Sequence, residues 1–117
     1  MNHYRETAKK IAAVLTEKIA QVVKVLEVSE LTSIADYFII CFGNSTTHIK
    51  ALCDEVQECL KDNDIACKHN EGYTSASWIL MDYGSIIVHI FSKESMDFYQ
   101  LERLWIDSKP VEFEGKE

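Results

Sequence analysis

Apolar residues recur at a helical spacing in two segments of the chain. In the first segment they return every three or four residues, which places them on one face of an amphipathic helix. This face consists of Tyr4, Ala8, Ile11, Ala12, Leu15 and Ile19. A second predicted helix follows Ser45 or Thr46, either of which can cap it. Its predicted buried stripe consists of Ile49, Leu52, Cys53, Val56 and Leu60.

Shorter runs that are rich in β-branched and aromatic residues predict strands. These runs cover residues 22–28, 37–42 and 65–69, and two more lie within residues 78–91. A loop at 70–72 precedes the last two runs, and a third helix is predicted around residues 96–105. The order α-β-β-α-β-β-β-α lacks the strict alternation of a doubly wound nucleotide-binding fold. We therefore predict a mixed α/β domain, with helices packed on a mixed sheet of about five strands.

The two runs within residues 78–91 predict a hairpin whose side chains do not suit catalysis. Its turn is formed by Asp82, Tyr83, Gly84 and Ser85. Because side chains alternate along a strand, the first run has two different faces. Trp78, Leu80 and Asp82 share one face, and Ile79, Met81 and Tyr83 share the other. An aromatic residue beside an apolar residue and a carboxylate predicts a surface that binds a partner.

Length and charge narrow the class of protein. The chain has 117 residues, of which 47% are hydrophobic, and this is enough for one compact domain. We assign residues 1–109 to that domain and expect residues 110–117 to form an acidic, flexible tail. The formal net charge is −7, which disfavours direct binding to a nucleic-acid backbone and favours a basic protein partner.

The amino-terminal residues and the cysteines indicate a cytoplasmic protein. The first ten residues are polar and charged, unlike a signal peptide, and no apolar run is long enough to span a membrane. The four cysteines contain no C-x-x-C pair, so we expect reduced thiols rather than disulfides. Zinc binding by cysteines with His48 or His69 is the alternative, but the spacing is not that of a zinc site. We expect no metal and no cofactor.

Four blocks of the sequence occur together in an order and spacing that are typical of one family. The blocks are A-D-Y-F-I-I-C-F-G-N-S from Ala35, E-G at Glu71, W-I-L-M-D-Y-G-S-I-I-V-H-I-F from Trp78, and F-Y-Q-L-E-R-L-W from Phe98. The four blocks occur in order between Ala35 and Trp105, which makes the match more specific than any one motif. The chain therefore resembles the ribosomal silencing factor family, also called the Iojap family.

This resemblance implies a translational repressor rather than an enzyme. It implies binding to the large ribosomal subunit through ribosomal protein fourteen, on the face where the small subunit docks. The bound factor would sterically block subunit joining and slow translation when nutrients are scarce. Many members of the family are homodimers when free. The family's fold is similar to that of nucleotidyltransferases, here without the catalytic carboxylates.

The resemblance and the predicted hairpin together indicate which residues bind the partner. We expect the centre of the contact at Trp78, Leu80, Asp82 and Tyr83, and its border at Glu71 and Gly72. For Tyr83 a place in the core is the alternative, because it cannot face the same way as Trp78 in a regular strand. The residues of the fourth block have the spacing of core packing. Met96 stands where the family usually has Arg, which removes a fixed charge from the last helix.

Two arrangements would suit an enzyme, and the sequence completes neither. Gly43, Asn44 and Ser45 form a strand-to-helix turn of the kind at which nucleotidyltransferases bind phosphate. Metal-dependent transfer also needs paired carboxylates on a following strand, and the sequence offers none there. His89 would be a general base with Ser45 or Cys41 as nucleophile, but no third group orients it. We predict instead that His89 is a hydrogen-bonded structural side chain.

Overall fold

The computed structural model describes residues 3–62, 65, 67–93 and 102–113. This part of the chain contains the helices α1 (His3–Glu17), α2 (Thr46–Lys61) and α3 (Glu102–Asp107). Its strands are β1 (Gln21–Glu27), β2 (Tyr37–Gly43), β3 (His69–Glu71), β4 (Trp78–Asp82), β5 (Ile86–Ser92) and β6 (Lys109–Val111). The predicted mixed α/β class is confirmed.

The described strands form one sheet in the order β3-β4-β5-β2-β1-β6. The central neighbours β2 and β5 are parallel, and all other neighbours are antiparallel. Both central strands are buried on the two faces, as their nearly continuous apolar sequences predict. The sheet has one strand more than predicted, because Lys109–Val111 pairs with β1. The likeness to nucleotidyltransferases stays a prediction.

The two long helices pack on one side of this sheet. In α2 the predicted stripe is confirmed, since all five of its residues are buried. Ser45 is the N-cap, and its Oγ accepts a hydrogen bond from the His48 N–H at 3.1 Å. In α1 the central part of the predicted face is fully buried, but Ile19 is 70% exposed. The helix ends at Glu17, and Ile19 has a φ of 70°, so it no longer shares the helical face.

The third strand lies further along the chain than predicted. β3 covers His69–Glu71, whereas the sequence predicted residues 65–69 and a loop at 70–72. Pairing with β4 determines this position, since Asn70 lies opposite Met81 and Glu71 lies opposite Leu80. The pairing partner is distant in sequence, so local propensity could not locate the strand.

The carboxyl-terminal part of the chain corrects a second prediction. Pro110 and Val111 were predicted to begin a flexible tail, but they lie in β6 and pair with β1. Val111 is only 5% exposed because its side chain joins the core beside α1 and α2. Residues 114–117 lie outside the described residues, as do residues 96–101 of the predicted last helix. The described part of that helix is α3, which begins at Glu102.

Candidate functional site

The two sides of the sheet are covered by different parts of the molecule. Ile79, Met81, Val88 and Ile90 pack with α1 and α2 in one apolar cluster, and we call this side the helix-covered face. The opposite side, which we call the aromatic face, carries Phe42, Trp78, Leu80, His89 and Phe91. Trp105 of α3 also packs on the aromatic face. The predicted partner-binding residues must therefore be assigned to one face or the other.

The predicted alternation along β4 is confirmed. Trp78, Leu80 and Asp82 are half-buried, whereas Ile79 and Met81 between them are fully buried. Antiparallel pairing places Trp78 opposite Phe91 and Leu80 opposite His89 on the neighbouring strand. Four large side chains consequently form one contiguous patch on the aromatic face.

Tyr83 does not belong to that patch, and its side chain takes the place in the core that was predicted as the alternative. It is 6% exposed and packs in the cluster of the helix-covered face. Burial raises the pKa of its phenol, which keeps the hydroxyl neutral. Its backbone N–H donates to the Ile86 carbonyl at 2.9 Å and closes the hairpin turn. Tyr83 follows Asp82 in the chain, and the alternation of β4 continues through it.

The indole of Trp78 is held by two contacts. Its ring stacks on Phe91, with centroids 5.4 Å apart and planes inclined by 23°. Its Nε1–H donates a hydrogen bond to Nδ1 of His89 at 3.0 Å. Phe91 is fully buried beneath the indole. Trp78 is thus an aromatic side chain with a fixed orientation at a half-exposed position.

His89 is neutral and its tautomer follows from the hydrogen bond. An indole N–H can only donate, so Nδ1 of His89 carries no proton and Nε2 carries it. Burial lowers the pKa of His89 to about 3, because the side chain is removed from water. The ring of Phe38 lies edge-to-face against the imidazole, with centroids 4.6 Å apart. The prediction of a hydrogen-bonded structural histidine is confirmed.

The hydrolase arrangement is not brought together. Cys41 is fully buried in the cluster of the helix-covered face, whereas His89 lies on the aromatic face. Burial also raises the pKa of the Cys41 thiol, which disfavours the nucleophilic thiolate. Ser45 lies at the start of α2, where its hydroxyl oxygen caps the helix.

The turn at Gly43 is explained by packing. A Cβ at this position would lie 2.5 Å from Cγ1 of Ile49, so the glycine lets α2 approach the end of β2. The Asn44 N–H donates to Nδ1 of His48 at 2.9 Å, and the other ring nitrogen of His48 bonds the Lys18 carbonyl. The groups of this turn thus serve the fold. Among the described residues, no three His, Cys, Asp or Glu side chains converge as a metal would require.

Polar residues border the patch at the edge of the sheet. Glu71 lies opposite Leu80, and His69 lies opposite Asp82, so both point to the aromatic face. The imidazole Nε2 of His69 contacts the Glu71 carboxylate. Asp82 accepts a hydrogen bond from the Gly84 N–H at 2.8 Å, which fixes the turn. The predicted border at Glu71 therefore lies beside the predicted centre.

Gly72 has a backbone role instead of a side-chain contact. Its φ is 86°, and a Cβ there would collide with the carbonyl oxygen of Trp78. Only glycine fits both the left-handed conformation and this close approach. Gly72 thus lets the chain turn out of β3 beside the first residue of β4.

Sequence reasoning missed the contribution of β5 to this face. The predicted turn contained part of the signal, because counting outward from residues 82–85 pairs Trp78 with His89 and places residues 87, 89 and 91 on the same face as Trp78. In the structure the register differs by two residues, so that Trp78 lies opposite Phe91 and Leu80 lies opposite His89. Phe42 was harder to foresee, because its position depends on the parallel pairing of β2 with β5.

The chain is similar to proteins of known family. A family model described as "Ribosomal silencing factor during starvation" matches residues 1–117. A protein of Halalkalibacterium halodurans named ribosomal silencing factor is 39% identical over 99 residues, which is 85% of each chain. A crystal structure of a protein from Chromobacterium violaceum superposes with a TM-score of 0.82 at 32% identity. The match covers 95% of this chain and 92% of that one.

A more distant relative has a different name. A protein of Mus musculus, named "Mitochondrial assembly of ribosomal large subunit protein 1", is 28% identical over 100 residues. These residues are 81% of this chain and 43% of the mouse protein. None of the described helices has the length and apolar character needed to cross a membrane.

Proposed function

Because the chain belongs to the ribosomal silencing factor family, we propose that it represses translation by binding the large ribosomal subunit. The proposed contact is ribosomal protein fourteen, at the face where the small subunit docks. Both the family name and the name of the mouse relative refer to the ribosome, and the latter to its large subunit. The protein would act in the cytoplasm during nutrient limitation, and as a homodimer when free.

The patch on the aromatic face is the observation that carries this proposal. Trp78 and Leu80 present apolar surface at half-exposed positions, and the indole is already ordered. Buried aromatic anchors of this kind dominate the energetics of protein interfaces. The carboxylates of Glu71 and Asp82 border the patch, and the net charge of −7 favours encounter with a basic protein.

The proposed mechanism is steric competition. A factor bound where the subunits meet occupies the space of an intersubunit bridge, so joining requires its dissociation. The equilibrium then depends on the concentration and affinity of the factor. No covalent bond is made or broken, and none of the side chains on the aromatic face needs a catalytic role.

Subunit joining followed on a density gradient tests this function. The native chain is compared with Trp78→Glu, which places a charge at the centre of the proposed contact. Ile19→Glu is the matched control, since it adds the same charge at a 70% exposed residue outside the patch. We expect the native chain and the control to comigrate with large subunits and block joining, and the folded Trp78→Glu variant to do neither.

Other outcomes separate the function from the site. If Trp78→Glu binds as tightly as the native chain, the contact lies elsewhere on the molecule. If the native chain does not bind large subunits at all, the proposed function is wrong. Circular dichroism of each variant establishes that lost binding does not reflect lost folding.

A further inference from the structure

The hydrogen bond beneath Trp78 gives His89 a role of its own. We propose that His89 is a positioning residue for binding to the large subunit, because its Nδ1 holds the Trp78 indole in the orientation that the partner meets. This inference rests on the proposed function. His89 is 2% exposed, so it acts through Trp78 and does not itself touch the partner.

Two restraints together fix the indole, and neither is sufficient alone. Stacking on Phe91 sets the plane of the ring, but a half-turn of the indole about its Cβ–Cγ bond would keep the same plane and point Nε1 in another direction. The bond from Nε1–H to His89 at 3.0 Å is directional and removes this freedom. A side chain ordered before binding loses less conformational entropy at the interface, which improves affinity about two- to tenfold for one large residue.

The hydrogen bond to Trp78, rather than packing alone, explains why a histidine occupies this buried position. The Nε2 of His89 is buried and has no hydrogen-bond partner among the residues that the structure describes, and in the tautomer set by Trp78 that atom carries a proton. A buried donor without an acceptor destabilises the fold, whereas phenylalanine would fill the same space without that penalty. Phe38 and Phe91 already surround the position with aromatic rings. The feature that histidine adds here is the acceptor for Trp78.

Two variants of His89 distinguish the effect of its hydrogen-bond acceptor from the effect of its aromatic ring. His89→Phe retains an aromatic ring and removes the acceptor, whereas His89→Asn removes the ring and retains an acceptor near the place of Nδ1. Ile90→Val is the control for a small loss of stability, because Ile90 is the fully buried neighbour on the helix-covered face. The readouts are affinity for isolated large subunits and the indole N–H signal of Trp78 in a nitrogen–proton correlation spectrum. The spectra are recorded in a Trp105→Phe background, so that the indole signal comes from Trp78.

We expect the indole N–H signal of Trp78 and the affinity for large subunits to change together. His89→Phe should move the Trp78 signal upfield, as a lost hydrogen bond does, and weaken binding about tenfold. His89→Asn should recover most of both effects, and Ile90→Val should change neither. In a Trp78→Phe background, which has no indole donor, His89→Phe should weaken binding less than about twofold further.

Three results would overturn the role of His89. The first is a folded His89→Phe variant that binds like the native chain. The second is an equal loss of affinity when His89→Phe is made in the Trp78→Phe background. The third, which applies even if His89→Phe does not fold, is a His89→Asn variant that keeps the native indole signal but loses binding. Failure of the native chain to bind would refute the proposed function instead, and the indole spectrum would still report the hydrogen bond.

Discussion

The two faces of strands β4 and β5 are built on different principles. On the helix-covered face, Ile79, Met81, Val88 and Ile90 are fully buried and make no hydrogen bonds through their side chains. On the aromatic face the indole of Trp78 stacks on Phe91 and donates a directional hydrogen bond to His89. The helix-covered face needs only apolar volume, whereas the aromatic face fixes the orientation of a half-exposed residue. Alternation lets one pair of strands do both.

The largest expected effect comes from placing the same charge on each face. Ile79→Asp buries an unpaired carboxylate between the sheet and the helices, and should cost about 4 kcal/mol or more, enough to unfold many domains. Leu80→Asp, one residue along, should cost about 1 kcal/mol because its position is half-exposed. Thermal unfolding followed by circular dichroism measures both. If the two variants were equally stable, the difference between the faces would be refuted.

Low pH should destabilise the fold because it favours protonation of His89, which is buried on the aromatic face. The pKa of His89 is about 3 when folded and about 6.5 in an unfolded chain, so the unfolded state binds the proton more tightly. Its contribution to stability is complete above pH ~6.5 and falls by about 1.4 kcal/mol for each pH unit below that, until pH ~3. Between pH 6.5 and 5, the free energy of unfolding of the native chain should therefore fall by about 2 kcal/mol more than that of His89→Asn. Urea unfolding at each pH measures both. Equal losses in the two proteins would mean that His89 is accessible to protons in the folded state.

The two glycines that precede and follow β4 in the chain should differ in their effect on stability. Gly72 and Gly84 both have positive φ, but only a Cβ at Gly72 would collide with backbone, namely the Trp78 carbonyl. Gly72→Ala should therefore cost about 1–3 kcal/mol and also weaken large-subunit binding by displacing Trp78. Gly84→Ala meets only the flexible end of Lys68, and should cost about 1 kcal/mol without changing affinity. If Gly84→Ala weakened binding as much, displacement of Trp78 would not be the cause.

Local patterns predicted those parts of the fold that depend on neighbours in sequence. The buried stripe of α2, its cap at Ser45 and the alternation of Trp78 and Ile79 all follow from one segment at a time. β3 was misplaced and β6 was missed, because each is three residues long and is defined by its pairing partner. Short strands contain too few side chains to show a period.

The candidate site, like the fold, was predicted from the sequence only in part. The side of Trp78 and Leu80 followed from alternation, whereas the bond between Trp78 and His89 depends on the register of two strands. Tyr83 was included because it continues the same motif, although the motif extends past the end of the strand into the turn. Belonging to this motif therefore did not indicate on which face of the sheet a residue lies.

The ends of the sheet determine how the molecule can associate with other chains. Among the described strands the two outermost, β3 and β6, are three residues long, and β6 contains Pro110, which has no N–H to donate. Short edges and proline both hinder the strand-to-strand addition that leads to polymers and aggregates. Growth of the sheet from either end is thus disfavoured. The aromatic face, which α1 and α2 do not cover, is the broad face that remains for association with another protein.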